Sequence, residues 1–495
     1  MITKNVIIIG GGVGGLASAV RLLSRGYNVT IYEKESRIGG KVNILETKHF
    51  KFDLTASILM MPKEYKEIFS YANRDYKDYI SLIKLDPIYR VFFSDKSEYD
   101  FSTDLTKLSE VLESFSKKDF HGYLKLLEEV YNKYNIAYEN FLHKSFNKPQ
   151  DFFNPKTLTK ALEINTLTNT YHYISKYLNS DRLKNYISFQ AMYVGISPFN
   201  GPNIYTLVPV TSQLYGIWYI KGGMYSFITA LKKLIDELGG TIKTELPVEE
   251  IIFSGDKAVG VKSKEGVEKA DIVVCNADFA YSMKNLVKNS KAKGNYTDKK
   301  LSNLKYSCST FILYLGLKKK YPELSVHNIY IGEDFKANVE APFKGMLPQN
   351  PSLYIYCPSR IDNSMAYGKK EALNVTLRVP NLSFDIKWNT SSIKAVRDMI
   401  IRIISNLKGL EDIEDNILYE SCFTPVNLQS AFNCYYGTAF GISHTLSLTN
   451  YFRPHIKSPT VKNLYFTGGS IQPGTGVSMV LISSKNLVED IIKYE

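Results

Sequence analysis

Val6-Ile7-Ile8-Ile9-Gly10-Gly11-Gly12-Val13-Gly14-Gly15 stands near the start of the chain and decides how the rest is read. Four β-branched residues are too few for a helix and suit a strand buried on both faces. The strand runs straight into G-x-G-x-x-G at Gly10, Gly12 and Gly15. In such a turn Gly10 permits the tight bend, Gly12 lets the backbone approach a pyrophosphate, and Gly15 lets the following helix pack close to the strand. Leu16, Val20 and Leu23 recur at helical spacing, which predicts a helix from Leu16 to Arg25, stopped at Gly26. A second strand, Tyr27 to Tyr32, ends in Glu33, an acid at the distance where both hydroxyls of an adenosine ribose can be accepted. Strand, turn, helix, strand and acid together define a Rossmann-type dinucleotide site.

A second glycine pair selects the dinucleotide. Arg37-Ile38-Gly39-Gly40-Lys41 follows Glu33 closely and gives the chain another close approach to the pyrophosphate. This arrangement resembles FAD enzymes of the glutathione-reductase type, so FAD is the expected cofactor, with Gly39, Gly40 and Lys41 beside it.

Further pieces of the FAD domain are read downstream. Ile220-Lys221-Gly222-Gly223-Met224 leads into a helix from Tyr225 to Leu238. Val248 to Phe253 and Ala258 to Val261 read as hairpin partners, and Ala270 to Cys275 as a buried strand ending in a polar loop. Leu464 to Tyr494 reads as strand, glycine-rich loop and helix. The expected fold is α/β: a discontinuous FAD-binding domain over 1–90, 220–285 and 455–495, with a substrate domain of sheet and helical lid over 91–219 and 286–454. Helical spacing dominates residues 100 to 190 and strand patterns dominate 306 to 380.

Charge is distributed unevenly. No Asp, Glu, Lys or Arg stands between Lys184 and Lys221, between Glu420 and Arg453, or between Lys462 and Lys485. Pro198, Pro202 and Pro209 interrupt the first of these, so it is not a membrane span. Two readings stay open for it: core strands and turns, or the wall of a long apolar cavity, where unpaired charge is costly. The net charge of +12 has no recognition motif with it, and the Lys residues are scattered, so no nucleic-acid partner is expected. Cys275, Cys308, Cys357, Cys422 and Cys434 form no C-x-x-C pair and the His are dispersed, so no metal site is expected. The first apolar run is too short for a secretory leader, and the chain is expected to be cytoplasmic and reduced.

The chain is identified as resembling the bacterial carotenoid desaturases of the phytoene-desaturase family, nearest their C30 branch. The resemblance spans nearly all of it, through the glycine motif, Phe52-Asp53 with Met60-Met61-Pro62, Tyr193-Val194-Gly195-Ile196, Ile220 to Met224, Phe423-Thr424-Pro425, Asn463 to Gly469, and Pro473-Gly474-Thr475-Gly476-Val477. It implies that the backbone of Val248 meets the adenine, that Gly469 approaches the pyrophosphate, and that Gly476, Val477 and Ser478 meet the isoalloxazine. Two departures lie where the family pattern borders the flavin ring. Thr55-Ala56-Ser57 replaces Gly-Pro-Ser or Gly-Pro-Thr, which puts Ser57 at the ring, and Ser478 replaces Pro.

The implied reaction is dehydrogenation of a linear C30 polyene, with the flavin carrying the redox chemistry. No Ser-His-Asp set, metal cluster or carboxylate pair is legible, and no catalytic base is named. Asp53 and Asp278 read as hairpin or capping residues. The alternatives are a C40 substrate, a terminal-methyl oxidase of the same family, and a prenyl carrier resembling the Rab GDP-dissociation inhibitors. The carrier keeps the scaffold without a flavin site, and both glycine loops argue against it. Such a substrate implies peripheral attachment to the cytoplasmic membrane through an apolar mouth rimmed by basic residues.

Overall fold

The β-branched run forms the strand Asn5–Ile9, buried over its last four residues. In the computed structural model, which describes residues 3–164 and 166–495, it is the middle member of a five-stranded sheet. The order is Leu464–Phe466, Ile272–Cys275, Asn5–Ile9, Asn28–Tyr32 and Thr241–Lys243. Every neighbour pair in it is parallel. Both faces are covered, which is why Val6–Ile9 and Ile272–Cys275 carry no polar alternation.

The helix after the glycine turn runs Val13–Leu23 and is buried throughout. The sequence places its start at Leu16 and its end at Arg25. It begins earlier because Gly14 and Gly15, which read as turn, lie in its first turn. It ends earlier because Gly26, at φ +83°, closes it by donating its N–H to the carbonyl of Leu23 at 2.9 Å. This helix packs between Tyr225–Glu237 and the C-terminal helix Val477–Tyr494. Its Arg21 is fully buried, ion-paired with Glu67 at 2.5 Å and donating to Ser484.

A seven-stranded sheet stands apart from the parallel one. Its order is Ile417–Phe423, Ser309–Leu317, Glu371–Val379, Leu353–Tyr356, His327–Ile331, Tyr89–Phe93, Glu98–Phe101. It is antiparallel except between His327–Ile331 and Tyr89–Phe93. Strand alternation divides its two faces. Val375 and Leu377 point to a core with Val396, Ile400 and Ile404 of the helix Thr390–Ser405. Thr376 and Arg378, on the opposite face, line a cavity.

Helices Leu105–Phe115, Lys117–Ala137, Pro155–Ile164 and Asp181–Phe189 follow in the stretch read as helical. The reading of the uncharged segment after Lys184 as core strands is corrected. It is helical over Gln190–Val194, Asn203–Thr206 and Leu207–Tyr215, and extended only at Trp218–Ile220. Pro209 does not break its helix, because it lies in the first turn, where a missing N–H forfeits no bond.

Candidate functional site

The glycine turn hangs between two strand ends. Gly10 donates its N–H to the carbonyl of Tyr32 at 2.7 Å. A Cβ on Gly15 would stand 2.2 Å from the Gly10 carbonyl oxygen, so only glycine lets the helix sit this close. Gly15 does not line the cavity. Of the glycines expected at the cofactor, it alone acts purely through packing, beneath the turn.

Asn276, just past the strand Ile272–Cys275, donates Nδ2 to the Gly10 carbonyl at 3.0 Å. A Cβ on Gly14 would meet its Oδ1 at 2.5 Å. Sequence reasoning did not single out either residue. The available signal was a polar residue at the carboxyl end of a buried parallel strand, where such sheets bind ligands.

Glu33 is buried at the end of the strand Asn28–Tyr32. Its Oε2 accepts from the N–H of Gly11 at 2.8 Å and its Oε1 from the N–H of Glu35 at 2.9 Å. Burial raises its pKa above the usual carboxylate value, and these backbone donors pull the other way. The second glycine pair closes on the first turn. Gly39 donates its N–H to the Gly11 carbonyl at 2.7 Å, and Gly40, at φ +56°, brings its backbone against Gly12. Lys41 reaches the carbonyl of Ala439 at 3.0 Å.

These parts open onto one cavity of about 580 Å³. Gly10, Gly12, Glu33, Gly39, Gly40, Lys41 and Val248 line it, as do Ser57, Gly469, Gly476, Val477 and Ser478. The helices Val13–Leu23 and Val477–Tyr494 both begin at it with no acid in the first turn, an arrangement suited to a diphosphate. At Gly476 an added Cβ would meet nothing within 4 Å, so the backbone there faces open space that a flat ring system can fill. A buried acid for a ribose, two close backbone turns, two helix N-termini and an open glycine fit a dinucleotide of the FAD type.

The loop between Phe466 and Val477 is shaped by a residue that the sequence reading used only to mark the end of an uncharged stretch. Arg453 is fully buried and donates to the carbonyls of Ile442, Ser443, Leu448, Gly469 and Ile471 at 2.6–3.3 Å. His444 accepts from the N–H of Thr475 at 3.3 Å, and burial holds its pKa well below that of a free imidazole.

The two departures from the family pattern have partners of their own. Ser478 donates Oγ to the Met60 carbonyl at 2.7 Å. Ser57 shares a 2.9 Å hydrogen bond with the hydroxyl of Tyr354, which meets His327 Nδ1 at 2.7 Å. Burial pushes His327 down to about 3, so the imidazole is neutral.

Asp53 and Asp278 hold structure. Asp53 lies outside the cavity and accepts from the N–H of Met224 at 2.8 Å and from Tyr356 at 3.0 Å, tying its hairpin to the turn at Gly222-Gly223. Burial raises it to about 7. Asp278 borders the cavity but caps the short helix after it, accepting from the N–H of Tyr281 at 3.1 Å.

Residues 13–492 match the family of flavin containing amine oxidoreductases. The chain belongs to this family. It is also 35% identical over 493 residues to a 4,4'-diapophytoene desaturase (4,4'-diaponeurosporene-forming) of Staphylococcus haemolyticus, covering 99% of this chain and 98% of that one. The full-length match sets it among the carotenoid desaturases, as the resemblance implied. Among solved structures it is similar to an oxidoreductase from Methanosarcina mazei, with a TM-score of 0.68 at 15% identity over 98% of this chain and 100% of that one. It is also similar to the Rab GDI of Plasmodium falciparum, with a TM-score of 0.57 at 12% identity over 100% and 99%. At these identities the structures share a fold and nothing more, so the carrier reading gains no support from the second. This family member is an FAD-dependent oxidoreductase, α/β in class with a Rossmann-type cofactor domain.

Proposed function

We propose that the protein dehydrogenates a linear C30 polyene, extending its conjugation, as the name of the Staphylococcus relative describes for that enzyme. The observation that carries this reading is the cavity. It runs without interruption from the glycine turns to apolar walls supplied by Phe141, Ile164, Ile204 and Leu207 in the helical region. An extended hydrocarbon needs such a wall, and a small polar amine does not.

FAD supplies the two-electron acceptor. The residues proposed to hold it are Gly10, Gly12, Glu33, Gly39, Gly40 and Lys41 at the adenosine diphosphate, with Val248 and Gly469. Ser57, Gly476, Val477 and Ser478 border the ring system. Gly15 contributes by packing. The cofactor unit comprises 1–90, 220–285 and 455–495, and the rest holds the substrate. The helical wall excludes water, Glu33 orients the ribose, and the N–H groups at the start of Val477–Tyr494 stabilise negative charge at the ring. No side chain is assigned as base.

Attachment to the cytoplasmic membrane is peripheral in this reading. No helix among the described residues is long and apolar enough to cross a bilayer. Leu162 is 77% exposed and Leu167 83% exposed, beside the cavity residues Ile164 and Thr166. Phe153 and Phe452, both exposed, lie 6.3 Å apart, and Lys148 and Lys156 flank Phe153 in the chain. Apolar side chains with cations nearby suit the headgroup boundary of an anionic bilayer.

The test supplies dehydrosqualene and phytoene separately to the FAD-loaded protein with an electron acceptor and identifies the products. Red-shifted polyene from dehydrosqualene supports the reading. Conversion of phytoene alone moves the substrate to C40. Inertness toward both, with oxidation of a conjugated carotenoid to an aldehyde, replaces it with terminal oxidation.

A further inference from the structure

Arg378 and Arg453 stand near the cavity in opposite circumstances. Arg453 spends its donors on five backbone carbonyls and needs nothing more. Arg378 faces the cavity from the seven-stranded sheet. Among the described residues it has neither an ion-pair partner nor a hydrogen-bond acceptor. The guanidinium carbon lies over the ring of Phe440, 4.9 Å from its centroid. Arg378 is half-buried, the groups that influence its charge, Cys308, Tyr193 and Tyr354, are all neutral, and loss of solvent lowers its pKa without discharging it. A cation over an aromatic face recovers only part of the cost of leaving water.

A hydrocarbon brings nothing to pair with this charge. We propose that Arg378 forms an anion subsite inside the apolar cavity, and that the cavity takes a second class of ligand, a long-chain carboxylate, with its acid group on the guanidinium and its chain along the apolar wall. Arg matches a carboxylate through two parallel N–H donors, and the pair is strong where water is excluded. Two sources share this chemistry: a saturated fatty acid, and a conjugated polyene whose end carries a carboxyl group. The inference rests on the reading of the cavity as the polyene site, but its test requires no turnover, so a failure to desaturate does not decide it.

The experiment titrates the full-length FAD-loaded protein and follows the perturbation of the flavin absorbance. The ligands are a saturated C16 fatty acid and a conjugated polyene acid, each below its micelle concentration, and the methyl ester of each. Either acid is expected to bind about tenfold or more tightly than its own ester, and the tighter acid identifies the source. R378K retains most of the preference and R378M abolishes it. Esters that bind as tightly as both acids overturn the proposal, as does an R378M protein that still prefers acid. R378M that emerges without FAD, while the wild type shows no acid preference, assigns Arg378 to the flavin instead and also overturns it. Should R378M fail to fold, the acid-against-ester comparison in the wild type decides.

Discussion

Arg453 donates to the carbonyl oxygen of Gly469 at 2.6 Å, joining the loop before the C-terminal strand to the glycine loop after it. Four further carbonyls converge on the same guanidinium. The charge serves as a template on which the backbone around the proposed cofactor site is bent.

Arg453→Met therefore strands buried carbonyls, each costing about 1–3 kcal/mol. The expected outcome is a loss of more than about 3 kcal/mol in urea unfolding, with flavin lost on gel filtration. Arg453→Lys, with three donors for five acceptors, falls between. Unchanged stability in the Met variant contradicts the template role.

Glu33→Ala removes the proposed ribose acceptor and frees the N–H groups of Gly11 and Glu35. FAD affinity should fall about tenfold or more while the apo-protein still folds, and Glu33→Gln, which keeps one acceptor oxygen, should lose less. Dialysis followed by flavin absorbance measures this. Full retention by the Ala variant rejects the assignment.

Asp53 gives the protein a pH dependence of definite sign. Burial raises its carboxyl from 3.8 to about 7 in the folded state, against the pull of Tyr356 and the Met224 N–H. The folded state thus favours the protonated form. Its contribution is complete below pH about 4 and disappears as pH rises through about 7, a change of a few kcal/mol at most. Asp53→Asn should flatten that part of the curve. Urea midpoints measured from pH 4.5 to 7.5 that run parallel in wild type and variant contradict it.

Replacing Leu158, Leu162 and Leu167 together with Ser removes exposed apolar surface near the cavity residues Ile164 and Thr166 in the chain. Flotation with anionic vesicles should show binding that falls with salt in the wild type and weakens about tenfold or more in the triple variant. Equal flotation of the two moves the attachment elsewhere.

What could be read in advance follows physical scale. Gly10, Gly12, Glu33 and Gly39-Gly40 were legible because local backbone geometry and chain spacing alone bring them together. Asn276 and Arg453 reach the site from far along the chain, through sheet pairing and a buried hydrogen-bond network that no local pattern encodes. The uncharged stretch after Lys184 lines the apolar cavity, as one of its two readings holds, while its secondary structure departs from the strands and turns of the other. Its Tyr and Phe favour strands by propensity, whereas tertiary packing makes it helical. Arg378 carried a weak signal as a charge that keeps the alternation of Val375-Thr376-Leu377-Arg378-Val379 and so shares the face of Thr376.

The most direct test of the account is an anaerobic single turnover. The FAD-loaded protein is mixed with dehydrosqualene without any other oxidant, and flavin and polyene absorbance are followed together. The account predicts that the yellow flavin band bleaches in step with the growth of longer-wavelength polyene bands, one flavin reduced for each double bond formed. A flavin that stays oxidised, with the polyene spectrum unchanged, contradicts it.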